Sequence, residues 1–498
     1  MASATDEAND AAARQPGEPT DAYRGRILGA ITSGSLASTG LTKLDLSGLG
    51  LAELPHEIGA LSTLVFLNLG KNPLSTLPPT FGGLTSLRIL FFLGCEFARV
   101  PEVLGEMKSL YMLSFKANVV EEVPADSIPH RTLGWLILSD NRIASLPSTV
   151  GKCANMRKLL LAGNRLTNAG LPANMGDLAK LELIRLADNQ LTEVPGWIVS
   201  HPTLAWVALA ANPATERWSA DASRRAMGGG GDGDAPGAVD VPTLEWSALG
   251  VEEGSAPLGS GASGAVYAAT DHSGARTAVK VYNLGGKTSD GRPQDEMTAS
   301  VLASRTTCRS IVRTTGRFVR RAAESGGALA DDAEGLVMEY LDPAEWTNLG
   351  GPPSFDSVTR DAYPAGTARD VGEVLAIARG LAAAGAALHA SGATHGDMYA
   401  HNVLFRPSAR GGVPAAKLGD FGAAFFYPPG SAVGREFERT EARAWGIAAS
   451  EALEQWDGRG DGAALAALRS LAEECTGERG KRPSFVEIVA RVGEPEGV

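Results

Sequence analysis

Cysteine is scarce in this 498-residue chain: Cys95, Cys153, Cys308 and Cys475 are the four, with no C-x-x-C pair among them. Their spacing suits neither a disulfide framework nor a zinc site, so they read as buried thiols of a reducing compartment. A basic surplus is missing too. Acidic side chains number 57 against 45 basic, a net charge of -12 spread along the chain. That balance argues against nucleic acid as a partner, because binding a phosphate backbone needs a basic face. No run of about 18 apolar residues stands out, and the N-terminus lacks the basic start and apolar core of a secretory signal. The expectation is a cytoplasmic protein without membrane insertion. The length exceeds what one core holds, so two ordered domains are expected. Residues 1–22, rich in Ala, Asp, Glu and Pro, are expected to be a disordered tail.

What is abundant is periodic leucine. Units begin at Leu41, Leu64, Leu87, Leu110, Leu133, Met156, Leu181 and Leu204, in steps of 23 residues with one step of 25. Each has leucine-like residues at positions 1, 4, 6 and 11, and most have an Asn at position 9: Asn72, Asn118, Asn141, Asn164, Asn189 and Asn212. Such a unit is identified as a leucine-rich repeat, a short strand and a returning segment that cannot bury its apolar face alone. The Asn amide at the turn can satisfy backbone groups of adjoining coils. With caps, residues 23–226 are expected to form a right-handed horseshoe arc.

Positions 3 and 5 of each unit should face outward on the concave side. They bring together Phe66, Ile89, Phe91, Met112, Trp135, Ile137, Leu183 and Trp206. A large apolar patch of this kind marks an interaction site, and the expected partner is a protein substrate or regulator. The bland reading is that these side chains pack on one another or are covered by the adjoining domain. Residues 227–243 then form a Gly-rich linker, beginning Met-Gly-Gly-Gly-Gly-Asp-Gly-Asp.

From residue 244 to 495 the sequence resembles a protein kinase. The motifs appear in order: Gly259-Ser260-Gly261-Ala-Ser-Gly264-Ala-Val266, then Ala278-Val279-Lys280, then Leu336-Val-Met338-Glu339-Tyr-Leu341. After them come His395-Gly396-Asp397-Met-Tyr-Ala-His-Asn402 and Asp420-Phe421-Gly422. Each motif alone is weak, but the spacing between the last two rarely arises by accident. The resemblance implies a multidomain α+β chain whose second half is a bilobal kinase binding ATP and Mg²⁺ between its lobes. Glycines let loop amides approach the phosphates, and Lys280 addresses the α- and β-phosphates with Glu296 as its partner, Asp295 being the alternative. Ala278, Met338, Glu339, Leu341 and Leu404 would line the adenine pocket. Asp397 would orient the acceptor hydroxyl and take its proton, while Asn402 and Asp420 hold the metal. The reaction implied is γ-phosphoryl transfer to Ser or Thr of a protein, with Tyr left open.

Several residues depart from the family pattern. Gly396 stands where most kinases carry an Arg, and Tyr399 where Ser/Thr kinases carry a Lys. Only 21 residues separate Asp420 from Glu441, without an A-P-E, so Arg482 lacks its usual Glu partner, with Glu436 or Glu438 as substitutes. An H-G-D loop is also usual in aminoglycoside phosphotransferase-like enzymes, which phosphorylate small molecules. A degenerate kinase serving as a scaffold is the other alternative. Glu441-Ala-Arg-Ala-Trp445-Gly446 resembles the D-x-W-x-x-G start of the large central kinase helix, with Glu441 for the Asp, and Cys475 to Phe485, ending Arg482-Pro483-Ser484-Phe485, resembles the closing element of the tyrosine-kinase-like group.

Overall fold

The computed structural model describes residues 4–226, 241–251, 255–261, 263–270, 273–283, 291–320, 333–408, 412–460 and 462–495. The chain divides into two compact units, Met1–Thr203 and Leu204–Val498.

In the first unit the leucine period becomes a ladder of three-residue strands: β1 (Lys43–Asp45), β2 (Phe66–Asn68), β3 (Ile89–Phe91), β4 (Met112–Ser114), β5 (Trp135–Ile137), β6 (Lys158–Leu160) and β7 (Leu183–Arg185). Neighbours are parallel and in register, Leu67 opposite Leu90 and Leu90 opposite Leu113. The central residue of each strand, Leu44 through Ile184, is buried. Strands stay short because the chain turns at once: Lys71, Ala117, Asp140 and Asp188 adopt left-handed φ values of 52 to 58°. The Asn that follows ties adjoining coils together. Asn141 Nδ2 donates to Phe115 O (2.8 Å) and Leu138 O (2.9 Å), and its Oδ1 accepts from Val120 N (2.9 Å). Where the column is broken, Cys95 Sγ donates to Leu69 O (3.3 Å) in the same place.

The chain then returns through single turns of 3₁₀ helix such as His56–Ala60, entered from the Leu-Pro or Val-Pro pair. Proline fixes φ near the helical value and has no N–H to leave unpaired there. The core between strands and returning turns includes a cluster of Phe92, Phe97 and Phe115, with ring centroids 4.7 to 5.2 Å apart. A short helix, α3 (Gly196–Ser200), replaces the 3₁₀ turn in the seventh unit.

The expected disordered tail instead carries α1 (Ala4–Ala12) and leads into α2 (Thr20–Thr32). Composition misled because the order comes from the repeat sheet. Asn9 Oδ1 accepts from the backbone N–H groups of Thr42 and Lys43, both at 3.0 Å, at the edge of β1. Tyr23, Ile27 and Ile31 fall on one stripe of α2 and are buried over the first repeat, which caps the solenoid.

The second unit begins earlier than the sequence suggests. It takes in the eighth repeat strand, β8 (Trp206–Ala208), and the amphipathic α4 (Pro213–Ala226). Residues 227–240 of the expected linker lie outside the described residues. Thr243–Leu244 is already a strand, β9. It pairs with β13 (Thr314–Arg320) at one edge of a six-stranded sheet whose order is β10-β11-β12-β14-β13-β9. The other strands are β10 (Gly259–Gly261), β11 (Gly264–Thr270), β12 (Arg276–Tyr282) and β14 (Ala333–Glu339). α5 (Pro293–Ser304) accompanies this sheet.

The larger lobe is helical. α6 (Val371–Ala390) lies at its centre among α7 (Ala432–Glu454), α8 (Ala463–Thr476) and α9 (Phe485–Val492). By length and composition α6 could cross a membrane, contrary to the expectation that no apolar run is that long. It buries Val374, Ile377, Leu381 and Leu388, and Trp445 Nε1 donates to Ala378 O (3.0 Å). Its Ala and Gly content permits close packing: a Cβ on Gly385 would stand 2.2 Å from the Phe485 ring. Two small sheets complete this lobe, β15 (Thr347–Asn348) with β17 (Val403–Arg406) and β18 (Ala415–Leu418), and β16 (Ala393–Thr394) with β19 (Phe425–Phe426).

Candidate active site

A cavity of about 500 Å³ opens between the two lobes of the second unit. Its roof is the β10–β11 hairpin, in which Gly261 faces Gly264. A Cβ on Gly259 or Gly261 would meet no atom within 4 Å, so backbone, with Ser260, forms that wall. Val266 and Ala278 continue the roof, Met338, Glu339 and Leu341 form the back edge, and Leu404 of β17 lies on the floor. The Glu339 N–H donates to Arg313 O (2.9 Å), so an adenine contact from this residue would come from its carbonyl. Its carboxylate accepts from Lys417 Nζ at 2.8 and 3.0 Å.

Strand alternation brings Lys280 inward, opposite Val266 on one side and Leu336 on the other. Its ammonium pairs with Glu296 of α5. Burial pushes the Glu296 carboxyl above its ordinary pKa, and the Lys280 charge works against that push. Asp295, the alternative partner, turns to α4 instead. Burial raises its pKa to about 6, against the pull of the nearby Ser219 hydroxyl and the Arg292 charge. Ser300, one helical turn further on, also lines the cavity.

On the large lobe the catalytic segment is held by carboxylates. Glu441 of α7, buried, accepts from Gly396 N (2.8 Å), His395 N (3.2 Å) and Thr394 Oγ1 (2.8 Å). His389 Nε2 lies 2.9 Å away, close enough for ionic attraction though not aligned as a hydrogen bond. Burial alone would raise the Glu441 pKa; His389, His395 and the Gly396 N–H outweigh it and bring it down to about 2. Asp361 accepts from the Ala400 N–H and lies 2.7 Å from His401 Nδ1. Sequence reasoning found no role for Asp361, since nothing in its Thr-Arg-Asp setting announces a buried carboxylate that braces a distant loop.

Asn402 joins the expected groups together. Its Nδ2 donates to Asp397 O (2.8 Å) and Asp397 Oδ2 (3.0 Å), which makes Oδ1 the atom it can offer a cation. Asp420, held at φ 54°, lines the same cavity as Lys280, Glu296 and Asn402. Carboxylate and amide oxygens are the hard donors that Mg²⁺ prefers, so the residues fit that ion. Among the described residues no group of three His, Cys, Asp or Glu side chains could hold a metal ion, so nucleotide oxygens would complete the shell. Every residue expected to hold nucleotide or metal thus lines one cavity, with Asp397 attached to it through Asn402.

Comparison with known families agrees with this geometry. A protein kinase domain model matches residues 253–445, and a leucine-rich repeat region model matches residues 39–125. The chain carries a leucine-rich repeat region followed by a protein kinase domain. No curated protein matches it. Solved structures do. A plant peptide hormone receptor in complex with its peptide is 25% identical with a TM-score of 0.31, over 35% of this chain and 30% of the receptor. A Toll-like receptor 13 complex with single-stranded RNA is 26% identical with a TM-score of 0.31, over 34% of this chain and 25% of the receptor. A leucine-rich repeat protein of Leptospira interrogans is 20% identical with a TM-score of 0.22, over 36% of this chain and 74% of that protein. The chain thus spans less than a third of the first two.

Arg482 donates to the carbonyls of Gly477 and Arg439. Glu436 meets Arg479 and Arg439, and Glu438 accepts from Phe485 N (2.8 Å), so both expected substitutes are engaged elsewhere.

The repeat face differs from the open apolar stripe expected. Trp206, Met112 and Leu183 are 1, 3 and 4% exposed. Trp206 belongs to the second unit, and Met112 is flanked in register by Ile89 and Trp135. Phe66, Ile89, Phe91, Trp135 and Ile137 are half-buried. Phe66 and Phe91 pack edge to face at 5.7 Å, and Lys158 Nζ sits 4.3 Å over the Trp135 ring. Self-packing accounts for much of their apolar area.

Proposed function

We propose that the protein is an ATP-dependent kinase that phosphorylates Ser or Thr of protein substrates in the cytoplasm, with the repeats as its docking module. One observation carries this reading: Lys280, Glu296, Asn402 and Asp420 line a single cavity under a glycine hairpin, and Asp397 is bonded to Asn402 at its rim. Phosphoryl transfer asks little of a protein beyond positioning and charge stabilisation. Lys280 neutralises phosphate charge and Glu296 fixes where its ammonium points. Asp397, whose side chain is 19% exposed, accepts the proton of an incoming hydroxyl, its rotamer fixed by the Asn402 amide. Mg²⁺ held by Asn402 and Asp420 would supply charge screening to the triphosphate.

His401 adds a feature that the motif alone does not suggest. Its Nε2 lies 4.0 Å from Asp397 Oδ2. Burial disfavours the imidazolium, but the Asp361 hydrogen bond and the charges of Asp397 and Asp420 prevail and raise its pKa. When protonated, His401 would offset part of the charge lost where Tyr399 stands in place of Lys. Support for docking comes from the repeat architecture and from the half-buried aromatic residues on its strands.

The test is phosphate incorporation from radiolabelled ATP into casein and into the protein itself, using the pure full chain. Asp420→Asn and Lys280→Met should each lower it by about 100-fold or more. Equal incorporation by wild type and both variants would sink the reading. A wild-type protein giving no calorimetric signal with Mg-ATP would leave an interaction scaffold.

A further inference from the structure

Residues 204–212 continue the repeat pattern in sequence and lead into α4, yet this segment is engaged by both lobes of the kinase domain. On the large lobe the Trp206 indole lies flat on the Tyr399 ring, with centroids 4.0 Å apart and planes 10° apart. Its Nε1–H donates to Met398 O (3.2 Å). Met398 and Tyr399 directly follow Asp397, so the indole braces the loop that carries the proposed base. The next residue, Val207, places its carbonyl oxygen 2.6 Å from where a Cβ on Gly396 would stand, with Ala423 O at 2.5 Å on another side and φ at 73°. The repeat strand therefore fills the space that any side chain at position 396 would need, which gives the H-G-D form of the motif a physical cause.

On the small lobe, α4 packs along α5, the helix that bears Glu296. Glu216 pairs with Arg292 at 3.1 Å, and the Arg305 guanidinium donates to Arg225 O. The same α4 reaches the large lobe through Arg225 Nη1, which donates to Ser391 O at 2.7 Å. One short segment thus touches the helix that sets Glu296 and the loop that sets Asp397. These two groups sit on different lobes, and transfer requires their separation to be fixed, since a misplacement of about 1 Å can cost about 100-fold in rate.

We infer that Leu204–Ala226 is an intramolecular clamp of the kinase domain, in which Trp206 and α4 position the catalytic loop and the Glu296 helix relative to each other. The last repeat is then part of the catalytic machinery's support, and the inference rests on the kinase reading above.

The test uses the full chain with three changes: Trp206→Ala, Glu216→Arg, and Glu216→Arg combined with Arg292→Glu. Amide hydrogen exchange is followed in residues 293–304 and 396–402, beside kcat and KM on casein and the Kd for Mg-ATP. Trp206→Ala should speed exchange in residues 396–402 and lower kcat about 10-fold or more while leaving the Mg-ATP Kd nearly unchanged. Glu216→Arg should speed exchange in residues 293–304 and lower kcat about two- to fivefold, as expected for an exposed pair, and the double change should restore both. Unchanged exchange in both segments would overturn the clamp, as would a rise in kcat on loosening, which would make the segment a brake. Absence of transfer by the wild type would fall on the kinase reading instead, and the exchange data would still decide whether the segment braces both lobes.

Discussion

Trp135 and Trp206 occupy the same position of the fifth and eighth repeats, three residues into the unit, and they end in different surroundings. Trp135 is half-buried with Lys158 over its ring. Trp206 is buried and stacked on the catalytic loop. The leucine period fixes the backbone of both units alike, because each strand and turn is built from local spacing and contacts with the adjoining coil. It does not fix which compact unit a repeat joins. That depends on what the outward side chain meets, which the period does not encode.

The sharpest way to break this comparison is to truncate both indoles. Trp206→Ala should cost about 3–5 kcal/mol, the usual loss for a fully buried aromatic side chain. The loss should appear in the unfolding of the kinase unit, followed by calorimetry and by the fluorescence of the remaining tryptophans. Trp135→Ala, removing a half-buried ring, should cost about 1–2 kcal/mol and act on the repeat unit. If both changes moved the same transition by similar amounts, the division at Thr203 would have no thermodynamic meaning.

Much of the molecule is legible in the sequence, and the rest is hidden for identifiable reasons. The strands sit at the repeat positions expected, because period and turn are local. That the motif residues line one cavity was also legible, since kinase motifs are short and their spacing is tight; the pairing of Lys280 with Glu296 and not Asp295 follows from helical phase once α5 is placed. Asp361 was not legible, because its partners Ala400 and His401 lie far along the chain. Nor was the true boundary: α4 reads as a cap for the solenoid, with an amphipathic pattern that says only that one face is covered. Its covering is α5. A fragment starting at residue 244 would therefore lack both β8 and α4.

The two units also solve one problem with different chemistry, which allows the comparison to be sharpened by pH. Asn141 gathers backbone groups of adjoining coils with a neutral amide, whereas Glu441 gathers the amides of the catalytic segment with a carboxylate. Asn141→Ala should cost about 3 kcal/mol at any pH, since it leaves buried backbone groups unpaired. The Glu441 contribution should titrate. Its folded pKa of about 2 lies below the usual 4.5, so its stabilisation is present above pH 4.5 and is lost as pH falls through 2. The difference corresponds to about 3 kcal/mol. Denaturant midpoints between pH 2 and 6 should therefore fall for wild type more steeply than for Glu441→Gln; parallel profiles would rule out this role.

A smaller effect of opposite sign should arise from Glu451, on the same helix as Glu441. Burial, helped by the Asp361 charge, raises its pKa to about 7, against the pull of the Tyr363 hydroxyl and Arg360. With a folded value above the unfolded one, its contribution is fully present below pH 4.5 and is lost as pH rises through 7. Glu451→Gln retains an acceptor for Tyr363, which donates at 2.9 Å, and removes the titration. Between pH 5 and 8 the wild type should lose about 2–3 kcal/mol relative to this variant. Because the two glutamates lie ten residues apart on α7 and shift in opposite directions, Glu451→Gln should flatten the alkaline side of the kinase unit's stability profile and leave its acid side unchanged. A variant profile that moved on the acid side would show that the two carboxylates titrate together.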